Sequence, residues 1–190
     1  KEGLEPVSML PEDMTVQDQE SDSFLKYYSK DQKRPKEKKT RAFQIRRKKK
    51  DGNHLHVHES VVSVKEVLKR SRELGVSMTV FLTAVFLKAI HEEMSKMQEK
   101  KPIVLMVPVN LRKFFPSTSM LNFFNWIEPG YDFSKRDRSF EEVLRYTKDF
   151  FEEQLTKEKM SAHINDLLAL ELHPILRLAP LELKNLCIHA

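Results

Sequence analysis

The run Ile103-Val104-Leu105-Met106-Val107-Pro108-Val109 limits the fold of this chain more than any other stretch. It is continuously apolar, rich in β-branched residues and bounded by polar turns, which predicts a strand covered on both faces. Covering both faces requires helices, so the run argues for an α/β protein. Its exit is stiff, because Pro108 and Pro116 fix the backbone on either side of Asn110-Leu111-Arg112-Lys113.

Helices are available to cover such a strand. Ser63 with Glu66 three residues on reads as a capping box, and Val64, Val67, Leu68 and Leu74 follow at helical spacing until Gly75. Ser77 can cap a second helix, where Val80 to Ile90 leave so little polar surface that the helix is expected to be buried all round. Ser139 and Glu142 read as another capping box, opening a long amphipathic helix through Phe140, Val143, Leu144, Phe150, Phe151 and Leu155. Two further helical patterns follow Ser161, with Pro174 near the start of the second. Asn122 to Phe133 reads as a strand interrupted at Pro129-Gly130. The expectation is a mixed sheet of Ile103–Val109 and Asn122–Phe133 packed on the helices at Ser63–Gly75, Ser77–Lys96 and Ser139–Lys157.

Charge divides the 190 residues unevenly. Residues 1–30 hold three basic and seven acidic side chains, residues 31–50 eleven and two, and residues 51–190 nineteen of each, so the net +5 originates in one segment. Residues 1–50 are therefore read as an acidic then basic irregular segment and linker with a short helix near 21–29, and residues 51–190 as a lobe with a core. The aromatics of that short helix, Phe24, Tyr27 and Tyr28, need a surface to lie on. Arg41 to Arg47 could start an edge strand. A basic run without aromatic interleaving argues against a nucleic-acid partner, and a solvated connection is the simpler reading. Cys187 stands alone, so no internal disulfide forms. With no secretory leader pattern and no apolar run of membrane-spanning length, the reading is a cytoplasmic protein with no membrane span.

His54, His56 and His58 alternate with apolar residues, so in a strand their rings share one face and could together bind a divalent ion. Alternating polar residues on the wet side of an edge strand need no such explanation, and the metal site is the minor alternative.

Three short motifs carry a resemblance. Gly75-Val76-Ser77-Met78-Thr79, Pro108-Val109-Asn110-Leu111-Arg112 with Phe115-Pro116-Ser117, and Asn122-Phe123-Phe124 resemble runs in condensation-domain and alcohol-acetyltransferase-like proteins of the chloramphenicol-acetyltransferase-like, CoA-dependent superfamily. The resemblance implies one lobe, the C-terminal one, of a two-lobed fold closing on a tunnel. It also implies a parent enzyme that moves an acyl group from acyl-CoA or acyl-pantetheine, held as a donor substrate and not as a tightly bound cofactor, to an alcohol or amine. Arg112, Asn122 and Asn125 become the expected tunnel lining. Arg112 presents five N–H donors in a fixed plane, equally able to grip a ligand or to brace open carbonyls. The superfamily's His-His-x-x-x-Asp-Gly motif, whose second histidine serves as general base, does not occur among the seven histidines here. The chain alone is expected to be inactive, its partners being a missing N-terminal lobe and small-molecule acyl donor and acceptor, with pairing through an exposed lobe surface as a further expectation. The rival reading is a non-catalytic interaction domain of the same fold.

Overall fold

The computed structural model describes residues 15–29, 41–45, 59–174 and Leu178. Among them lie six helices and four short strands, a mixed α/β architecture as the sequence implies. The chain divides into two compact units, each assembled from segments distant in sequence. One takes residues 1–36, 108–126 and 155–190, and the other takes 37–107 and 127–154.

The second unit is built on helix packing. Helix α3, Val64–Glu73, starts at Ser63, whose Oγ accepts from the Glu66 amide. It stops in a Schellman turn: Gly75 N–H donates to the Arg72 carbonyl and Val76 N–H to the Ser71 carbonyl, with Gly75 at φ 66°. Ser77 then accepts from the Val80 amide and opens α4, Met78–Glu92. Helix α4 packs against α5, Phe140–Gln154, which buries Val143, Leu144, Thr147 and Phe151.

Contrary to the expectation of burial all round, α4 buries one face only, through Val80, Thr83, Ala84, Leu87 and His91. Met78, Leu82, Val85 and Phe86 are exposed. All-round apolarity fixed that this stretch is helical, but not which sides find a neighbour.

The run Ile103–Val109 is also corrected. It is two strands, β1 at Ile103–Val104 and β2 at Val107–Asn110, and burial alternates along each. Strand β1 pairs antiparallel with β4, Gly130–Tyr131, placing Ile103 opposite Tyr131 and Val104 opposite Gly130. A Cβ at residue 130 would come within 3.2 Å of Val104 Cγ2, so glycine suits this crossing. Strand β2 pairs with β3, Phe124–Ile127. The two expected strand regions do meet, but as two two-stranded ladders in place of one sheet. Residues 41–45 form no strand, although the Phe43 amide donates to the Pro102 carbonyl.

In the first unit, short helices α1, Val16–Glu20, and α2, Ser23–Lys26, are each capped by the preceding residue, Thr15 and Asp22. Helix α6 runs from Lys157 to Glu171, beginning before Ser161, and buries Met160, Ile164, Asn165 and Leu168. The second pattern expected around Pro174 lies largely outside the described residues. Among the described residues no single helix is long and apolar enough to cross a membrane.

Candidate functional site

The polar loop after β2 is built from its first residue. Asn110 Oδ1 accepts from the Arg112 amide and so starts a single 3₁₀ turn, Leu111–Lys113. Leu111 is buried, and its amide donates to the Phe123 carbonyl, which ties the beginning of the loop to its end. Arg112 Nη2 donates to the carbonyls of Ser119 at 2.6 Å and Leu121 at 2.9 Å. Backbone carbonyls left open where strand pairing ends thus find a charged donor. Arg112 as a residue is exposed, and its Nε and Nη1 carry three further N–H groups.

A second layer holds the loop from the N-terminal side. Ser23 and Ser117 share a hydrogen bond between hydroxyls, and Tyr27 donates to the Pro116 carbonyl. The Met120 amide and the Ser119 hydroxyl both donate to the Gln19 carbonyl. Beneath, the Tyr27 ring lies 5.0 Å from Phe115, and Phe24 meets Phe123 edge-on at 5.0 Å. Phe24 and Tyr27 thereby find the surface that their clustering demands.

The three expected lining residues all fall within this unit, in different settings. Arg112 braces the loop. Asn122 is exposed at the loop's end. Asn125 lies on β3 and is fully buried, its Oδ1 accepting from the Trp126 amide at 2.8 Å while its Nδ2 has no hydrogen-bond partner among the described residues. A buried amide N–H pair without an acceptor carries a desolvation cost that no described residue offsets.

Two residues of α6 adjoin this region. His163 meets the Trp126 ring edge-on at 4.8 Å. Asn165 is buried and accepts from the Ser29 amide, and its Nδ2 also lacks a partner among the described residues. No sequence signal joined His163 to Trp126 or Asn165 to Ser29, because residues so far apart in the chain meet only through the fold.

His91 belongs to the other unit. Its Nε2 lies 3.1 Å from Glu99 Oε1, its ring stacks on Phe133 at 3.9 Å, and its Nδ1 is buried without a partner among the described residues. Burial holds its pKa below the usual histidine value. The Glu99 carboxylate opposes that shift, while Lys88 and Arg138 add to it. Glu99 is held in turn by Arg138 at 2.9 Å. An imidazole pressed between a ring and a carboxylate is a packing element.

Among the described residues no group of three or more His, Cys, Asp or Glu side chains is placed to hold a metal ion. His54, His56 and His58 lie outside the described residues.

Fold and site together define an α/β protein with a braced loop leaving a short strand pair and a buried, half-satisfied amide beside it. The alcohol acetyltransferase family model matches residues 6–158, and the chain belongs to that family of acyltransferases. No curated protein and no solved structure matches it.

Proposed function

We propose that this chain forms one lobe of an acyltransferase that moves an acyl group from a CoA or carrier-bound pantetheine thioester to an alcohol or amine. In that reaction the acceptor oxygen or nitrogen forms a bond to the thioester carbonyl carbon, the carbon–sulfur bond breaks, and the acceptor's proton ends on the departing thiol. A base must take that proton as attack proceeds. With no His-His-x-x-x-Asp-Gly motif in these residues, the base belongs to a second lobe, the chain's partner in a cytoplasmic enzyme.

Arg112, Asn122 and Asn125 line the acyl-donor side in this reading, the fully buried Asn125 only once ligand entry uncovers it. Asn125 carries it: a buried Nδ2 without an acceptor among the described residues suits a carbonyl brought by the ligand, such as a pantetheine amide. Arg112, held by two backbone carbonyls, fixes the loop and keeps three donors for an anionic or carbonyl group.

The test uses acetyl-CoA and a short-chain alcohol, following free thiol and ester together. The chain alone should release thiol no faster than buffer, yet acetyl-CoA should change the emission of Trp126, the only tryptophan, next to Asn125. Ester formation should appear when a lobe bearing the histidine motif is supplied. Absence of both the emission change and turnover in the joined lobes would overturn the acyltransferase reading. The missing motif favours as second reading a non-catalytic interaction domain, which predicts that outcome.

A further inference from the structure

A different surface carries charge and apolar side chains that no acyl-transfer step uses. Just before and within α3, Val61, Val62 and Val64 are 99%, 68% and 62% exposed. Three bare valines within four residues would be costly to leave in water and serve no packing role in this unit. The helix that follows carries four basic side chains, Lys65, Lys69, Arg70 and Arg72, against two acidic ones, Glu66 and Glu73. All four cations are exposed. Among the described residues Lys69 and Arg70 approach Glu73 alone, at 4.0 and 3.3 Å. On the opposite side α3 buries Ser71 alone, so the helix is shallowly seated and most of its circumference faces outward.

Lys65, Leu68, Lys69 and Arg72 line one open groove along the helix flank, with Glu73 at its end. The spacing explains this: positions 65, 68, 69 and 72 recur every three to four residues and share one face of an α-helix. The flank therefore presents three cations around one leucine, next to a stretch of exposed valines. The most basic segment of the chain, residues 31–50, lies shortly upstream in the sequence.

We infer that the Val61–Arg72 surface docks on an anionic phospholipid membrane as a peripheral contact, with the valines entering the headgroup boundary and the cations pairing with lipid phosphates and carboxylates. Charge complementarity selects the sign of the partner. The valines select its class, because a nucleic acid or a polyanionic chain offers phosphate but no apolar layer for branched aliphatic side chains to enter. The inference does not depend on the acyl-transfer reading and concerns another unit of the fold.

The experiment is co-sedimentation of the 190-residue chain with vesicles of phosphatidylcholine alone and with vesicles containing phosphatidylserine, at low and high salt, alongside binding to a DNA oligonucleotide. The chain should partition onto the phosphatidylserine vesicles, weakly or not at all onto phosphatidylcholine, and should detach as salt rises. Lys65→Gln with Arg72→Gln should lower partitioning by about fivefold for each cation removed. Val61→Ser with Val62→Ser should also weaken vesicle binding several-fold and leave oligonucleotide binding unchanged. These residues are exposed, and circular dichroism should show both variants folded. Equal binding to the two vesicle types, or vesicle binding that survives the valine changes while the charge changes abolish it, would overturn the inference. The second of these outcomes would point to a polyanion such as nucleic acid.

Discussion

Asn125 and His91 are both buried with one nitrogen unsatisfied, yet they point to different experiments. Replacing Asn125 by Leu removes a donor that makes no bond among the described residues, but also the Oδ1 that accepts from the Trp126 amide. Losing that acceptor costs more than removing the idle donor gains. The expected result is urea stability lowered by about 1–3 kcal/mol, with the Trp126 response to acetyl-CoA lost under conditions where the variant stays folded. The same loss of stability with the response intact would assign Asn125 to holding the Trp126 backbone alone. His91 titrates with the opposite kind of consequence. Its folded pKa lies below the unfolded value of about 6.5, so unfolding takes up a proton as the pH falls through that value. The groups facing it are Glu99, Lys88 and Arg138, and burial outweighs the Glu99 attraction. Stability should therefore decline from pH 7 toward pH 5, and His91→Gln should flatten that slope in melting temperatures measured across the range. A slope unchanged in the variant would place the acid sensitivity elsewhere. Neither orphan nitrogen was legible in the sequence, since a one-letter string says nothing about which polar atoms lose water. The placing of Arg112 at a strand exit was legible, because two prolines and Asn110 dictate the turn.

Secondary elements were legible where the signal is local. Ser63, Gly75 and Ser77 mark the ends of α3 and the start of α4 because capping and a positive φ are set within a few residues. Burial was not, because it depends on which neighbours arrive. Apolarity around α4 suggested a helix enclosed on all sides, yet Phe86 is 60% exposed while Leu87, one residue on, is fully buried. Leu87→Ala should cost about 2–5 kcal/mol and Phe86→Ser well under 1 kcal/mol in urea unfolding. Comparable losses would show that the outer face of α4 is covered in solution. At Gly75 an added Cβ meets nothing within 4 Å, so any penalty is conformational. Gly75→Ala should destabilise by about 1 kcal/mol, and Gly75→Asn by less, because Asn tolerates the left-handed region better. Equal effects would mean that the turn relaxes. The single strand read at Ile103–Val109 failed for a related reason: β-branched composition reports compatibility with extended backbone, whereas pairing partners decide where a ladder starts and stops.

At the scale of the whole chain, family membership was legible from three short motifs, because each is bound to a backbone turn and so survives as a local pattern. The division into units was not, since each gathers segments that are not contiguous in sequence, and one joins the two ends of the chain. The acidic, proline-containing start shows why: composition describes residues 15–29 as peripheral, but within their own unit they strap the loop that follows β2. Phe24 and Tyr27 cover the buried rings of Phe123 and Phe115, and Gln19, Ser23 and Tyr27 satisfy loop carbonyls and hydroxyls. Removing both rings forfeits three aromatic contacts, Phe24 with Phe123 and Tyr27 with both Phe115 and Phe123, and uncovers apolar surface. Both rings are half-buried, so Phe24→Ala with Tyr27→Ala should cost roughly 2–4 kcal/mol, about half of the 1.5–3 kcal/mol of a fully buried apolar side chain for each plus the lost ring contacts. Because the loop carries Arg112 and leads into Asn125, the acetyl-CoA response of Trp126 should fall in the same variant even under conditions where it stays folded. Deleting residues 1–29 should do at least as much and raise the binding of a hydrophobic dye, as Phe115 and Phe123 meet water. A double variant with native stability and an intact Trp126 response would show that the strap is dispensable, and that β2, β3 and α6 alone hold the loop.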